Sequence, residues 1–278
     1  MSVSIPLLTV QIIGEHGSEE QKAELLPKYV DGSIFQVGLG INNALISTDS
    51  YQSSVSAKEL GEEIILDGSK AGVAFANDAK SFLISASNES GECGLYFVDK
   101  DQEGLELEEK EFMGLKGTPF SQINFSNCKI SSSQKLGGHN YSINYQSLID
   151  SSRIGMSALA LGVCQAVLDY VIPYTNERVA FDEPISNRQS VAFLIADMAI
   201  ETEALRLMVY KSAALKDLEE DFHKQASLTY RFATYHGMKI GTDGVQLLGG
   251  HGFTHEHPVE LWYRNLRAIG IFEGGAGV

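Results

Sequence analysis

Apolar and polar positions alternate over short runs up to about residue 135, and the period then lengthens. Ile64-Ile65-Leu66, Ser81-Phe82-Leu83-Ile84, Gly94-Leu95-Tyr96-Phe97-Val98 and Gln122-Ile123-Asn124-Phe125 are runs of strand length. Asp67-Gly68, Asn77-Asp78 and Lys116-Gly117 lie between them as turn signals. Between Asp101 and Glu111, Leu105 and Leu107 alternate with Glu106 and Glu108, which predicts a half-exposed strand with a solvated acidic face. Together these predict a compact antiparallel β domain. Beyond residue 140, Ile154, Ala158, Leu161, Val167, Leu168 and Val171 keep helical spacing and predict a helix over Asp150 to Tyr174. Ser186-Asn187-Arg188-Gln189 has the S-x-x-Q form of a capping box and predicts a second helix running to about Lys216. A third is expected from about Phe222 to Leu248, stopped by Gly249-Gly250, and a short one near Val259 to Leu266. The first thirty residues predict one helix, about Glu19 to Val30. The layout is therefore helix, β domain, helical bundle.

Composition narrows the function classes. The 278 residues are 44% hydrophobic and 21% charged, ordinary globular values, and the formal net charge is −15. Such an acidic chain argues against broad nucleic-acid or anionic-membrane binding. Cys93, Cys128 and Cys164 are dispersed, without a C-x-x-C, so idle buried thiols are expected rather than disulfides or a zinc ribbon. No run approaches about 20 consecutive apolar residues, so no membrane span is expected. Met1-Ser-Val-Ser-Ile-Pro lacks the basic start of a secretory signal, and a cytoplasmic location is the expectation.

Three segments carry candidate chemistry. Arg178 and Phe181, at the predicted end of the first bundle helix, could grip a phosphate and pack a ring; equally, Arg178 could only complement the helix dipole. Gly244, Gly249, Gly250 and Gly252 free the backbone for close approach to a ligand, or form only a cap and turn; they follow no strand, so this is not a dinucleotide fingerprint. Glu273, between Phe272 and Gly274-Gly275, is a carboxylate in an apolar loop, where a raised pKa suits a general base, unless it is simply an exposed acid near the chain's end. His251, His255 and His257 form no H-E-x-x-H, and no metal site is expected.

The order and spacing of these segments resemble the acyl-CoA dehydrogenases. The resemblance rests on Ala160-Leu161-Gly162-Val163-Cys164-Gln165-Ala166, Glu177-Arg178 with Phe181, Gln189, Ala196-Asp197-Met198, Gln246-Leu247-Leu248-Gly249-Gly250-His251-Gly252-Phe253, Pro258-Val259-Glu260 and Tyr263-Arg264-Asn265. Glu19 to Pro27 is similar to the helix entering the family's β domain. The resemblance implies an α+β fold, an antiparallel β-barrel-like middle domain over 31–138 followed by a C-terminal four-helix bundle over 139–278. Residues 1–30 would be a remnant of an N-terminal helical domain, and the usual final helix would lie past the end of the sequence.

The implied reaction removes the α-proton of an acyl-CoA thioester with a carboxylate while hydride leaves the β-carbon for FAD. Glu273 stands at the place of that base. Ser152 stands where some relatives carry the base instead. Arg178, Phe181, Gln189, Gln246 and Gly250 match positions that hold the FAD of a neighbouring subunit. Asp150, Arg153, Phe272 and Gly274 fall at the substrate. In the β domain the family's flavin-facing Trp-Ile-Thr-Asn aligns with Gly72-Val73-Ala74-Phe75, its Thr-Glu-Pro segment falls near Leu39 to Ala44, and the Gly after the Phe181 position is Asp182. The implied partners are an acyl-CoA, a homo- or hetero-oligomer (dimer or tetramer) and an electron-transfer flavoprotein. The alternative implied role is a non-catalytic or half-catalytic partner subunit of a hetero-oligomeric enzyme.

Overall fold

The computed structural model describes residues 4–30, 32, 37–41, 43, 53–138 and 141–271. Among them the chain divides into two units, the first holding residues 4–112 and 116–149, the second residues 113–115 and 150–271.

The first unit is built on strands β1 (Val37–Gly40), β2 (Val55–Leu60), β3 (Glu63–Ala74), β4 (Ser81–Ser87), β5 (Cys93–Asp99), β6 (Leu105–Lys110) and β7 (Phe120–Ser131). They form one sheet in the order β1-β4-β2-β3-β7-β6, with β5 along the other edge of β4. The expected antiparallel pairing joins β2 to β3, β3 to β7, β6 to β7 and β4 to β5. β1 is added to β4 in parallel, a direction that residue alternation alone does not encode. Both faces of the middle strands are covered. Phe82 and Ile84 of β4 join Ile64, Leu66, Tyr96, Val98, Ile123 and Phe125 on one face, while Leu83 joins Leu95, Val37, Ile12 and Leu148 on the other. Burial on both faces is why Phe82, Leu83 and Ile84 of β4 are apolar in succession rather than alternating. Leu105 and Leu107 of β6 are half-buried against the first core and Glu106 and Glu108 are exposed, as the alternation predicts.

Three local expectations are corrected. Asp67-Gly68 is not a turn between strands but a bulge inside β3, at a register shift against β7. Gly68 sits at φ +127, and a Cβ there would come within 2.3 Å of Ser54 O. The first thirty residues hold two helices, α1 (Ser4–His16) as well as α2 (Glu19–Val30); α1 buries Thr9, Ile12 and Ile13, and this tertiary burial outweighs its Gly14. Ser186 and Gln189 form no capping box, because residues Ile185–Asn187 wind into a 3-10 turn and Arg188 becomes the cap, with no side-chain bond. The same S-x-x-Q pattern does close at Ser18 and Gln21 ahead of α2, where each side chain meets the other's backbone N–H at 3.1 and 3.2 Å.

Lys70 of β3 is fully buried, its Nζ donating to Ser53 Oγ at 2.8 Å, Asn43 Oδ1 at 2.9 Å and Ile41 O at 3.4 Å. Tyr145, whose hydroxyl also donates to Ile41 O at 2.5 Å, lies 5.7 Å beneath it. Burial pushes the Lys70 ammonium down to about 7.

The second unit is helical: α3 (Tyr145–Glu177), which begins in the first unit, then a hairpin of β8 (Val179–Ala180) and β9 (Glu183–Pro184), α4 (Gln189–Asp217), α5 (His223–Leu248) and α6 (Val259–Ile269). By length and composition α3 could cross a membrane. Ala160, Cys164, Val167 and Val171 are instead fully buried, making α3 the central helix of the bundle. A Cβ at Gly244 of α5 would lie 2.5 Å from Val167 Cγ1, so glycine sets the closeness of α3 and α5. Cys93, Cys128 and Cys164 are free and buried. Burial pushes the Cys164 thiol up to about 12.

Two outcomes are expected in urea denaturation. Gly244→Ala gains at most about 1 kcal/mol of helix propensity but meets a β-branched side chain with little rotamer freedom, so a net loss of roughly 1–2 kcal/mol is expected. Lys70, with an ordinary value of 10.5 when unfolded, binds a proton in the unfolded chain between about pH 7 and 10.5 that the folded chain does not bind. Stability therefore rises with pH across that window and the slope vanishes below it. Lys70→Met should flatten this rise; an unchanged pH profile would remove Lys70 as its source.

Candidate active site

Two groups of side chains in the second unit bring together residues singled out by the sequence. The first is near the start of α3. Asp150 and Arg153 are three apart on the helix, so they share a face. Asp150 is 1% exposed, and Arg153 Nη1 donates to its Oδ1 at 3.0 Å. The same Nη1 donates to Ser227 Oγ of α5 at 3.1 Å, and the guanidinium lies 5.9 Å over the ring of Tyr230. Tyr230 in turn donates to Ile269 O at 2.7 Å, at the end of α6. The other carboxylate oxygen, Oδ2, is 2.6 Å from His223 Nδ1. An ionised carboxylate only accepts, so this ring nitrogen carries the hydrogen. Lys216 Nζ donates to Ser151 Oγ at 2.7 Å beside the group. His223, Ser227 and Tyr230 were not anticipated; His223 is 73 residues from Asp150 and no local pattern marks it.

The second group is at the other end of the helices. α3 ends at Glu177, and the hairpin β8–β9 turns through Phe181 and Asp182 at φ +56 and +66. Two positive φ values are those of a type I′ turn, which usually takes Asn-Gly; two non-glycine residues there hold strain. Phe181 is 88% exposed, with the Arg188 guanidinium 5.0 Å over its ring. Ile185 N–H donates to Arg178 O at 2.9 Å, closing the hairpin beneath Arg178. α5 ends nearby: Tyr174 of α3 hydrogen-bonds His251 Nδ1 at 2.8 Å and Leu248 O at 3.5 Å. Tyr170 pairs with His257 Nδ1 at 2.7 Å, and the two imidazoles stack with centroids 5.5 Å apart. Arg178, Gln189, Gln246 and Gly250 are exposed at this end. A Cβ on Gly250 would meet nothing within 4 Å, leaving its backbone open to approach. His255 lies 2.9 Å from Glu260, which also takes two bonds from Arg264 at 2.8 and 3.1 Å. Arg264 holds the Glu260 carboxyl below its ordinary range. These two residues thus explain part of the sequence motif as a structural ion pair.

Glu273, Phe272 and Gly274 lie outside the described residues, as do Asn42 and Ala44 of the segment from Leu39 to Ala44. In the first unit, Gly72 stands at φ +64 beside the register shift of β3, followed by buried Val73 and Ala74 and by Phe75 at φ +56.

The pattern described as "Acyl-CoA dehydrogenase, C-terminal domain" matches residues 144–278. The short-chain specific acyl-CoA dehydrogenase, mitochondrial, of Rattus norvegicus is 30% identical over 282 residues, covering 99% of this chain and 68% of that protein. The chain belongs to the acyl-CoA dehydrogenase family. The short/branched chain specific acyl-CoA dehydrogenase, mitochondrial, of the same organism is 32% identical over 275 residues, and the chain spans 63% of its length. A glutaryl-CoA dehydrogenase of Mycobacterium smegmatis, solved in complex with FADH2, superimposes with a TM-score of 0.87 at 26% identity, covering 96% of this chain and 69% of that one. The α+β fold expected from the sequence is that of this acyl-CoA dehydrogenase family.

The exposed end of the bundle suits FAD in its chemistry: a cation and open glycine backbone for a pyrophosphate, two amides for ring edges, and an exposed aromatic face. Arg178→Ala is expected to lower the flavin content of the purified protein, losing a charge-assisted contact of about 1.5–3 kcal/mol. Flavin content equal to wild type would remove Arg178 from the site.

Proposed function

We propose that the chain carries out the FAD-dependent α,β-dehydrogenation of an acyl-CoA thioester to a trans-2-enoyl-CoA. The observation that carries this reading is the gathering, at one exposed end of the bundle, of Arg178, Phe181, Gln189, Gln246 and Gly250, the positions that match the family's FAD contacts. In this reading Arg178 meets the pyrophosphate, Gln189, Gln246 and Gly250 meet polar edges of the cofactor, and Phe181 packs on a ring. Bound FAD supplies the acceptor for the hydride that leaves the β-carbon.

The chain's own residues divide the remaining work. Glu273 takes the α-proton; its carboxylate becomes a carboxylic acid as the Cα–Cβ bond becomes double. Arg153 and Asp150 lie at the acyl-CoA, Asp150 serving also as the counter-charge of Arg153. Proton abstraction of this kind needs a base in a dry site, where its pKa rises toward that of its task. The five FAD-side residues reach toward a flavin held mainly by a neighbouring subunit, so the working protein is a dimer or tetramer. An exposed stripe on α4, Phe193, Ile200 and Leu207 at 60%, 67% and 65%, supports association; it lies opposite the buried Met198, Leu205 and Val209. An electron-transfer flavoprotein is the proposed electron acceptor, and the cytoplasm the proposed compartment.

A second reading, a partner subunit that completes another chain's flavin site without turning over itself, is favoured by Gly72. It stands where the family's flavin-facing Trp would be and offers no aromatic side chain.

Anaerobic mixing of the flavin-loaded protein with butyryl-CoA, 2-methylbutyryl-CoA or octanoyl-CoA separates the two. Wild type is expected to bleach its visible flavin band with at least one of them. Glu273→Gln should bind the same thioester with little change and bleach at least about 10²–10⁴-fold more slowly. Unbleached flavin in wild type with every thioester would favour the partner-subunit reading, and a variant as fast as wild type would move the base away from Glu273.

A further inference from the structure

We propose that His223 is a positioning residue for acyl-CoA recognition, acting through Asp150 on Arg153. The inference rests on the reading of Arg153 as a substrate contact. A carboxylate and a guanidinium left to themselves favour the fork-on-fork arrangement, two parallel N–H bonds to the two oxygens. Here Nη1 reaches Oδ1, while His223 Nδ1 holds Oδ2 at 2.6 Å. The same Nη1 is shared with Ser227 Oγ at 3.1 Å, and the guanidinium lies over Tyr230. His223 and Arg153 thus share the Asp150 carboxylate, one at each oxygen, so the imidazole sets how much of it the guanidinium can claim.

The placement of His223 suits a rigid prop. It is the first residue of α5, with its backbone N–H donating to Asp221 Oδ1 at 3.1 Å. Ser227, four residues on, lies on the same face of the helix. One turn of α5 therefore presents two polar groups to the Asp150–Arg153 pair, one to each partner. The His223 side chain is 50% exposed while Asp150 is 1% exposed, so removing the imidazole opens Oδ2 to the Arg153 guanidinium and to water. Either outcome changes where Arg153 presents its charge. The chemistry of the reaction, at the base and the flavin, is left to other residues, so the effect belongs to substrate affinity.

The test uses steady-state kinetics of flavin-loaded protein with butyryl-CoA, or with whichever of 2-methylbutyryl-CoA and octanoyl-CoA wild type turns over best. His223→Ala should raise KM roughly tenfold, with kcat falling by a smaller factor and flavin content unchanged. His223→Asn, whose side-chain amide can donate from nearly the place of Nδ1, should bring KM back toward wild type. A scaffold role alone would not be rescued in this way, nor would it separate KM from kcat. Wild-type KM in His223→Ala, equal impairment in both variants, or a loss confined to kcat would each overturn the role. Calorimetry of wild type with the same thioester separates a failure of the underlying reading. No binding there would bring down Arg153 as a substrate contact and the role of His223 with it, whereas binding unaltered in His223→Ala would overturn His223 alone.

Discussion

A carboxylate buried to 1% exposure has to be neutralised and hydrogen-bonded, and Asp150 organises the bundle around that need. Breaking such a buried pair by removing one partner typically costs about 3–5 kcal/mol. The partners come from α3 itself and from the start of α5, and Tyr230 carries the arrangement on to the end of α6 through Ile269 O. Three helix segments far apart in sequence are tied together by one charge. Glu273 follows Ile269 by four positions in the chain, so the same tie anchors the helix that leads to the proposed base.

The opposite end of the helices is shaped by different forces. There the hairpin after α3 holds Phe181 and Asp182 in left-handed conformations, and paired tyrosines and histidines tie the end of α3 to the segment between α5 and α6. The strain at two non-glycine residues is of order 1–2 kcal/mol each, and the hairpin pairing and the Arg188 guanidinium on Phe181 offset it. What results is an exposed surface with a cation, amides and bare glycine backbone. Such a surface has little to contribute to the bundle's own core and is suited to a ligand carrying both phosphate and aromatic rings.

Much of this was legible in the sequence where burial imposes a period. β4 reads as a strand because both its faces are buried, β6 because only one is, and α5 ends at Gly249 because φ +58 there favours glycine. The misreadings have equally local causes. Asp67-Gly68 looks like a turn, yet the Gly68 conformation serves a bulge, and Asp67 Oδ1 accepts from Asn127 N–H across the sheet at 2.7 Å. Ser186 looks like a cap, yet the chain spends that serine in a 3-10 turn. Arg178, Gln246 and Gly250 could be named as candidates because each sits in a recognisable motif at a helix end. His223 could not, because a hydrogen bond between residues 73 positions apart leaves no trace in either residue's neighbourhood. Lys70, an amine buried among neutral oxygens, is invisible to patterning for the same reason.

The most direct measurement is a single anaerobic turnover of the purified, flavin-loaded protein with butyryl-CoA, 2-methylbutyryl-CoA and octanoyl-CoA in turn, followed by mass spectrometry of the CoA thioesters. Dehydrogenation by this chain predicts that at least one thioester loses two hydrogens, with one trans-2-enoyl-CoA formed per bound flavin. Protein that holds its flavin and leaves all three thioesters unchanged would contradict it.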